Sequence, residues 1–205
     1  MDAAETAAGG APGRGRVAGR LQTVIVLAVT VAAIAAAALL MGGGGIGQSS
    51  GVSQVSLTGS VANAAPVAGS TPPGFTATTY DGKTISLASY LGKPLWLTFG
   101  ASWCPDCRSE APDVEAAYQK YQAQGLSVVA VFISESPSDI QSYAQRAGLT
   151  FPIAVDQNTV IASQYRTMGI PTHFFIGADG KIKDVKLGAL DPATIDSEIQ
   201  GILGH

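Results

Sequence analysis

Apolar residues are arranged in two different ways along the chain. Leu21–Met41 is one uninterrupted run without a charged residue, whereas the apolar runs after position 72 are short and are separated by polar and glycine-containing stretches. A helix rises about 1.5 Å per residue, so a helix over the long run would span about 30 Å, the thickness of a bilayer core. The short runs have the length of buried strands. The pattern therefore predicts a membrane-spanning helix followed by a folded domain.

Strand-like and helix-like segments alternate within that domain, which predicts an α/β sheet with helices on both faces. An Asp-Gly turn at Asp81 indicates a hairpin. Ser136 followed by Pro137 is typical of a helix start, and Gly148 of a helix end. The predicted strands are Phe75–Thr79, Thr84–Leu87, Pro94–Phe99, Leu126–Ile133, Phe151–Val155, His173–Ile176 and Lys181–Leu187, and the predicted helices are 105–124, 137–147, Asn158–Tyr165 and 192–203.

Charges around the long apolar run predict its orientation. Three arginines precede it, at Arg14, Arg16 and Arg20, and no charged residue follows it until Asp81. By the positive-inside rule, residues 1–20 form a cytoplasmic tail and the chain after the helix lies outside the cytoplasm.

A cleaved signal peptide, cut near Ala38, is the alternative interpretation of this run. The apolar region of such peptides is usually about 7–15 residues long, and this one is longer, so a retained single-pass anchor over 21–41 is favoured. Residues 42–71 are rich in Gly, Ser and Ala and are expected to form a flexible linker. Every Trp, Tyr and Phe lies after position 74, so the packed core belongs to the domain 72–205.

Composition excludes some classes of function. The net charge is −3 and the basic residues of the domain are scattered, so no basic face is available for nucleic acid. The chain has two cysteines, three positions apart. A bridge between them would close a very small loop and constrain little of the unfolded chain, so they fit a redox pair better than a structural disulfide.

Cys104 and Cys107 follow a predicted buried strand and open a predicted helix. A cysteine attacks as its thiolate, which the free N–H groups of a helix N-terminus stabilise. Cys104 is therefore predicted as the nucleophile and the more exposed of the two, and Cys107 as the thiol that resolves a mixed disulfide. Zinc takes about four ligands, and apart from carboxylates the sequence offers only His173 and His205, so neither a metal nor a cofactor is expected.

The stretch LWLTFGASWCPDCRSEAP, with GIPTHFFIGADGKI some 65 residues later, resembles the thioredoxin superfamily. It is most similar to the membrane-anchored, extracytoplasmic TlpA/ResA type with a redoxin or AhpC/TSA-like domain. The resemblance covers roughly Pro73 to Leu203 and implies a thioredoxin-like fold with a central mixed sheet. It also implies a thiol–disulfide oxidoreductase whose partners are extracytoplasmic proteins with disulfides, such as apocytochrome c in cytochrome c biogenesis, and a membrane electron donor that re-reduces the pair.

The resemblance also assigns expected roles to residues around the cysteines. Pro171 matches the cis-proline that lies against the cysteines in this family, and the backbone of Ile170 before it is expected to pair with a substrate peptide. Trp103 and Pro105, which flank Cys104, join them as expected substrate-docking residues.

Glu110 matches an acidic residue that the ResA type carries three positions after its second cysteine. Cytoplasmic thioredoxins have a buried Asp where this chain has Thr98, so Glu110 is the expected proton acceptor for Cys107. The alternative is an exposed glutamate that the helix dipole stabilises. His173 either faces the sulfurs or simply occupies a strand position, and the structural role is favoured.

Three other functions stay open. A thiol peroxidase would need Thr or Ser three residues before its attacking cysteine, where Ala101 stands. A copper-handling module would use Cys104, Cys107 and His173, but such proteins usually place three residues between their cysteines. A disulfide-forming oxidase stabilises its thiolate, which the negative charge of Asp106 disfavours. A reductant of protein disulfides is therefore the favoured function.

Overall fold

The computed structural model describes residues 28–32, 56–58 and 64–204. Residues 28–32 are helical and belong to the predicted membrane-spanning segment 21–41. The rest of that segment, and the predicted cytoplasmic tail 1–20, lie outside the described residues. Among the residues that are described, no helix has the length and apolar character needed to cross a membrane.

The predicted hairpin around Asp81 is present and belongs to a small antiparallel sheet. Its strands are β1 (Ser56–Thr58), β2 (Gly74–Thr78) and β3 (Thr84–Ser86), and β2 pairs with both of the others. Strand β1 lies within 42–71, the segment expected to be a flexible linker, and its Leu57 pairs with Phe75 of β2. That segment is therefore not unstructured throughout, because backbone pairing holds three of its residues on the sheet.

A second part of the expected linker is also fixed to the domain. Gly69 donates its N–H to the carbonyl of Ile182 at 2.8 Å, and Ile182 donates in return to the carbonyl of Ser70 at 3.0 Å. These two bonds attach residues 69–70 to the edge of the main sheet described next.

In the described part of the chain, five strands form the mixed central sheet. They are β4 (Leu95–Gly100), β5 (Ser127–Ile133), β6 (Ile153–Asp156), β7 (Thr172–Ile176) and β8 (Ile182–Leu187). The order is β6-β5-β4-β7-β8, with β4, β5 and β6 parallel and β7 antiparallel to both β4 and β8. Every residue of β4 is buried, so the strand that leads to the cysteines lies at the rigid centre of the domain.

Helices flank this sheet, and the ends of all but α3 follow the predicted signals. They are α1 (Pro105–Tyr121, prolonged by a 3-10 turn over Gln122–Gln124), α2 (Pro137–Ala147), α3 (Val160–Gln164) and α4 (Pro192–Leu203). Ser136 caps α2 by accepting the Asp139 N–H at 3.3 Å, and Gly148 ends it in the left-handed region with φ of 68°.

The bounds of β6 and α3 differ from those predicted. The strand expected over Phe151–Val155 begins and ends later, and the helix expected over Asn158–Tyr165 is shorter. The carboxylate of Asp156, which is fully buried, accepts the N–H groups of Val160 at 2.7 Å and Ala162 at 2.8 Å. This cap at the end of β6 determines where α3 begins.

The core lies on both faces of the central sheet, and helices pack on both faces, as predicted. On one face, Trp96 and Phe175 pack with apolar residues of α1, α2 and α4. On the other face, Phe99 and Phe174 pack with Tyr165 and with the β2 strand. The fold is thus a thioredoxin-like α/β fold. The two predicted cysteines lie at the start of α1, just after β4, and α1 packs on the first of these faces.

Candidate active site

A disulfide joins Cys104 and Cys107 at the point where β4 gives way to α1, and the two Cα atoms are 5.3 Å apart. Cys104 is the N-cap of α1, and its Sγ accepts the N–H of Cys107 at 3.2 Å. Pro105 is the first helical residue, where the missing N–H of proline costs nothing. The predicted placement of the sulfur of Cys104 at a helix N-terminus is confirmed.

The burial of the cysteines differs from the expected order. Cys104 is 4% exposed and Cys107 is 9% exposed, so the expectation that Cys104 is the more accessible is wrong for the oxidised protein. The covering group is the backbone before Pro171, since the carbonyl oxygen of Ile170 lies 3.7 Å from the sulfur of Cys104. Trp103 is 55% exposed beside the pair and is accessible to a partner.

The Ile170–Pro171 peptide bond is cis, as the resemblance implied. Pro171 lines a small cavity together with Cys107, Glu110 and Thr98. The predicted residues Cys107, Glu110 and Pro171 therefore meet in one place, although Pro171 lies more than sixty positions away in the sequence.

Glu110 is 4% exposed, which rules out the alternative of a solvated helical glutamate. Burial raises the pKa of its carboxyl to about 7, and the nearby negative charge of Asp113 also raises it. The Leu190 N–H donates to Oε1 at 2.9 Å and lowers the pKa, because it stabilises the anion. Near neutral pH this carboxyl can therefore both take up and release a proton.

His173 is fully buried and contacts two residues that line this cavity, Thr98 and Glu110. Its Nδ1 is 3.0 Å from the hydroxyl of Thr98 and 3.3 Å from the indole nitrogen of Trp96, and its Nε2 is 3.2 Å from the carbonyl oxygen of Gly188. Burial lowers the pKa of His173 to about 4, so the ring is neutral at pH 7. The sequence singled out His173 and Thr98, but only the fold shows that they contact each other.

A second buried carboxylate near the cysteines was missed at the level of sequence. Glu135 is 7% exposed and accepts the backbone N–H of Ser102 at 2.8 Å, and the Ser102 hydroxyl also donates to it. Burial raises the pKa of Glu135 above its usual range. The contact holds the loop that presents Trp103 and Cys104. Glu135 stands among Ser and Pro residues, a context that gives no local sign of burial.

The site offers little to a metal ion. Within the described ranges, no cluster of three or more His, Cys, Asp or Glu side chains is positioned to bind one. Both ring nitrogens of His173 have hydrogen-bond partners already.

Ala101, where a thiol peroxidase would carry a hydroxyl, is fully buried.

Comparison with known proteins agrees with this geometry. Residues 68–185 match the AhpC/TSA family. The chain is 34% identical over 134 residues to the thiol-disulfide oxidoreductase ResA of Geobacillus thermodenitrificans, covering 65% of this chain and 77% of that protein.

Two solved structures are also similar. A thiol:disulfide interchange protein of the thioredoxin family from Chlorobium tepidum has a TM-score of 0.62 and 30% identity, over 70% of this chain and all of that one. A secreted disulfide oxidoreductase of Mycobacterium tuberculosis, homologous to E. coli DsbE, has a TM-score of 0.56 and 27% identity, over 62% of this chain and 95% of that one.

Proposed function

The chain belongs to the AhpC/TSA family, as a thiol–disulfide oxidoreductase of the ResA type, and we propose that it reduces disulfide bonds of extracytoplasmic proteins through Cys104 and Cys107. The observation that carries this proposal is the cavity beside the disulfide, where Cys107, the buried carboxyl of Glu110 and the cis-proline Pro171 meet. Each of the three supplies something that disulfide reduction needs.

In the first step, the reduced protein attacks a disulfide of its partner. Cys104 does so as a thiolate, because its sulfur sits at the N-terminus of α1 and accepts the N–H of Cys107. A sulfur–sulfur bond forms between Cys104 and one partner cysteine. The other partner cysteine leaves as a thiolate and is protonated by solvent.

In the second step, Cys107 releases the partner. Its thiol loses a proton to the carboxylate of Glu110, and the resulting thiolate attacks the sulfur of Cys104. The Cys104–Cys107 disulfide forms and the second partner cysteine leaves as a thiolate. The partner has then gained two electrons, and Glu110 returns its proton to the leaving thiolate or to water.

Docking of the partner would use the groups that surround the sulfurs. Trp103 is exposed and offers a large apolar surface, and Pro105 is exposed at the start of α1. The carbonyl of Ile170 lies against Cys104, where it can accept a backbone N–H of an extended partner segment. Pro171 lacks an N–H and lines the cavity beside Cys107.

We place the enzyme at the cell membrane, with residues 21–41 as the anchor and the folded domain outside the cytoplasm. Support comes from the arginines before the apolar run and from a secreted relative among the similar structures. A reductant in that oxidising environment must be recharged, so the proposal includes a membrane dithiol protein as electron donor. Cytochrome c biogenesis is the process that relatedness to ResA suggests.

Trapping of the partner tests this function. Cys107→Ser removes the resolving thiol, so the first step should stop at a mixed disulfide that is stable without reductant and that mass spectrometry can identify. Cys104→Ser is the matched control, since it keeps one thiol but lacks the nucleophile. Equal capture by both variants, or capture by the Cys104→Ser variant alone, would contradict the assigned roles.

A further inference from the structure

Hydrogen bonds on one side of the His173 ring define where its proton lies. The indole N–H of Trp96 can only donate, and it lies 3.3 Å from Nδ1. Nδ1 must therefore be an acceptor without a proton. Since the ring is neutral, its one proton is on Nε2.

The other side of the ring requires the same tautomer. Nε2 lies 3.2 Å from the carbonyl oxygen of Gly188, which can only accept, so Nε2 donates. The same nitrogen is 3.4 Å from Oε1 of Glu110. With a neutral ring this contact is not an ion pair, and it places the positive end of the Nε2–H dipole beside the carboxyl.

The segment that begins at Gly188 links His173 to two residues that line the cavity, Pro171 and Glu110. Its N–H donates to the carbonyl of Pro171 at 2.8 Å, while its own carbonyl accepts from His173. Two residues further on, the N–H of Leu190 donates to Oε1 of Glu110 at 2.9 Å. The segment 188–190 is thus held by His173 and in turn holds Glu110. Gly188 has φ of 90°, a conformation that other residues rarely adopt.

These contacts distinguish the two oxygens of the Glu110 carboxyl. Oε1 faces the N–H of Leu190 and the N–H edge of His173, which are donors only. Oε2 has no hydrogen bond to any residue that the structure describes. A proton on Oε1 would point at two donors, so a proton that the carboxyl accepts must reside on Oε2.

We infer that His173 is a positioning residue for disulfide exchange: as the Nε2–H tautomer fixed by Trp96, it holds the segment 188–190 and Oε1 of Glu110, so that proton transfer with Cys107 takes place at Oε2. The inference rests on the proposed role of Glu110. His173, the buried residue that follows the cis-proline Pro171, thus acts on the reaction through Glu110 and not by contact with the substrate.

Charged side chains near His173 and Glu110 include Asp113 and Lys186. Asp113 on α1 raises the pKa of Glu110. Lys186 is the register partner of His173 on β8, and it forms ion pairs with Asp184 at 2.8 Å and with Glu198 of α4 at 3.1 Å. The hydrogen bond between Lys186 and Asp184 lowers the pKa of Asp184 and raises that of Lys186, so a change of pH between 6 and 9 acts on Glu110 and not on these two groups.

The tautomer is tested on the unmodified full-length chain. Nitrogen-15 NMR of the histidine side chains, with His173 assigned from its loss in His173→Gln, should show Nε2 protonated and Nδ1 unprotonated from pH 6 to 9. A protonated Nδ1, or an imidazolium in that range, would overturn the inference. The variant serves only to assign the signal, so the tautomer is read on the native protein and does not depend on whether the substituted protein folds.

Two variants then test the positioning role through the pH dependence of mixed-disulfide resolution. His173→Gln retains an N–H donor, whereas His173→Leu has none. Without the donor the Glu110 anion loses stabilisation, so the midpoint of the rate against pH should rise by about one unit in the Leu variant and stay near that of the wild type in the Gln variant. Equal midpoints in all three proteins, or the same rise in both variants, would overturn the inference. A wild type without any resolution would instead refute the proposed function.

Discussion

In the proposed mechanism, Glu110 determines whether the second step of the reaction is fast. A thiol with an ordinary pKa of about 8.5 is mostly protonated at neutral pH, so Cys107 needs a base when it attacks. The usual glutamate, with a pKa near 4.3, would be a weak base for this purpose. Burial brings the pKa of Glu110 to about 7, which matches the carboxylate to the working pH.

Glu110→Gln should therefore slow the resolution of a mixed disulfide while leaving its formation unchanged. Positioned acids and bases typically contribute about 10²–10⁴-fold to a rate, so a loss in that range is expected. Rapid-mixing measurement of partner release would give the rate. Glu115→Gln, at a half-buried position on the same helix that does not line the cavity beside the disulfide, serves as control. An unchanged release rate in a folded Glu110→Gln variant would refute the role as base.

Glu110 should also make stability depend on pH. Its pKa is about 7 in the folded protein against 4.5 for a solvated glutamate, so the folded state binds the proton more tightly. Stability is then highest below about pH 4.5 and falls as pH rises through about 7, by on the order of 3 kcal/mol for this group. Urea unfolding of the oxidised chain between these pH values would measure the decrease. Glu110→Gln should lack it, and a variant with the same decrease as the wild type would show that other groups cause it.

At the scale of elements, local sequence signals are sufficient to predict the ends of the elements in which they occur. The Ser136 cap and the left-handed Gly148 mark the ends of α2 in sequence and in structure. The apolar run of β4 and the proline after Cys104 indicate the strand-to-helix junction that carries the chemistry. These features could be predicted because each depends on neighbours a few positions away.

Contacts between distant segments could not be predicted in this way. The short strand β1 looked like linker because three residues in a Gly- and Ser-rich stretch have no periodicity of their own, and it exists only through β2. The contact between Ser102 and Glu135 joins positions 33 apart, and that between Thr98 and His173 joins positions 75 apart. Their residue types were visible, but their burial depends on the folded sheet.

At the scale of the whole molecule, the redox domain follows the apolar segment 21–41, which we propose as its membrane anchor. A reductant of protein disulfides has to work where partner disulfides persist, which is outside the cytoplasm. The charge asymmetry around residues 21–41 is the physical basis for that orientation.

A reporter enzyme that is active only outside the cytoplasm, fused after His205, should therefore be active in cells. The same fusion without residues 21–41 is the matched control and should be inactive. Activity of a reporter that requires the cytoplasm would contradict the orientation. A mature chain that begins beyond Ala38 would show that the apolar segment is cleaved instead of retained.

The reduction potential of the Cys104–Cys107 pair tests the central claim most directly. Asp106, exposed in the first turn of α1, opposes formation of the neighbouring thiolate, and weak stabilisation of the thiolate makes a disulfide less oxidising. Equilibration of the full-length chain with a dithiothreitol or glutathione series should give a value nearer to about −270 mV than to about −120 mV, and Asp106→His should raise it. A wild-type value more positive than about −160 mV would contradict the account and indicate an enzyme that forms disulfides.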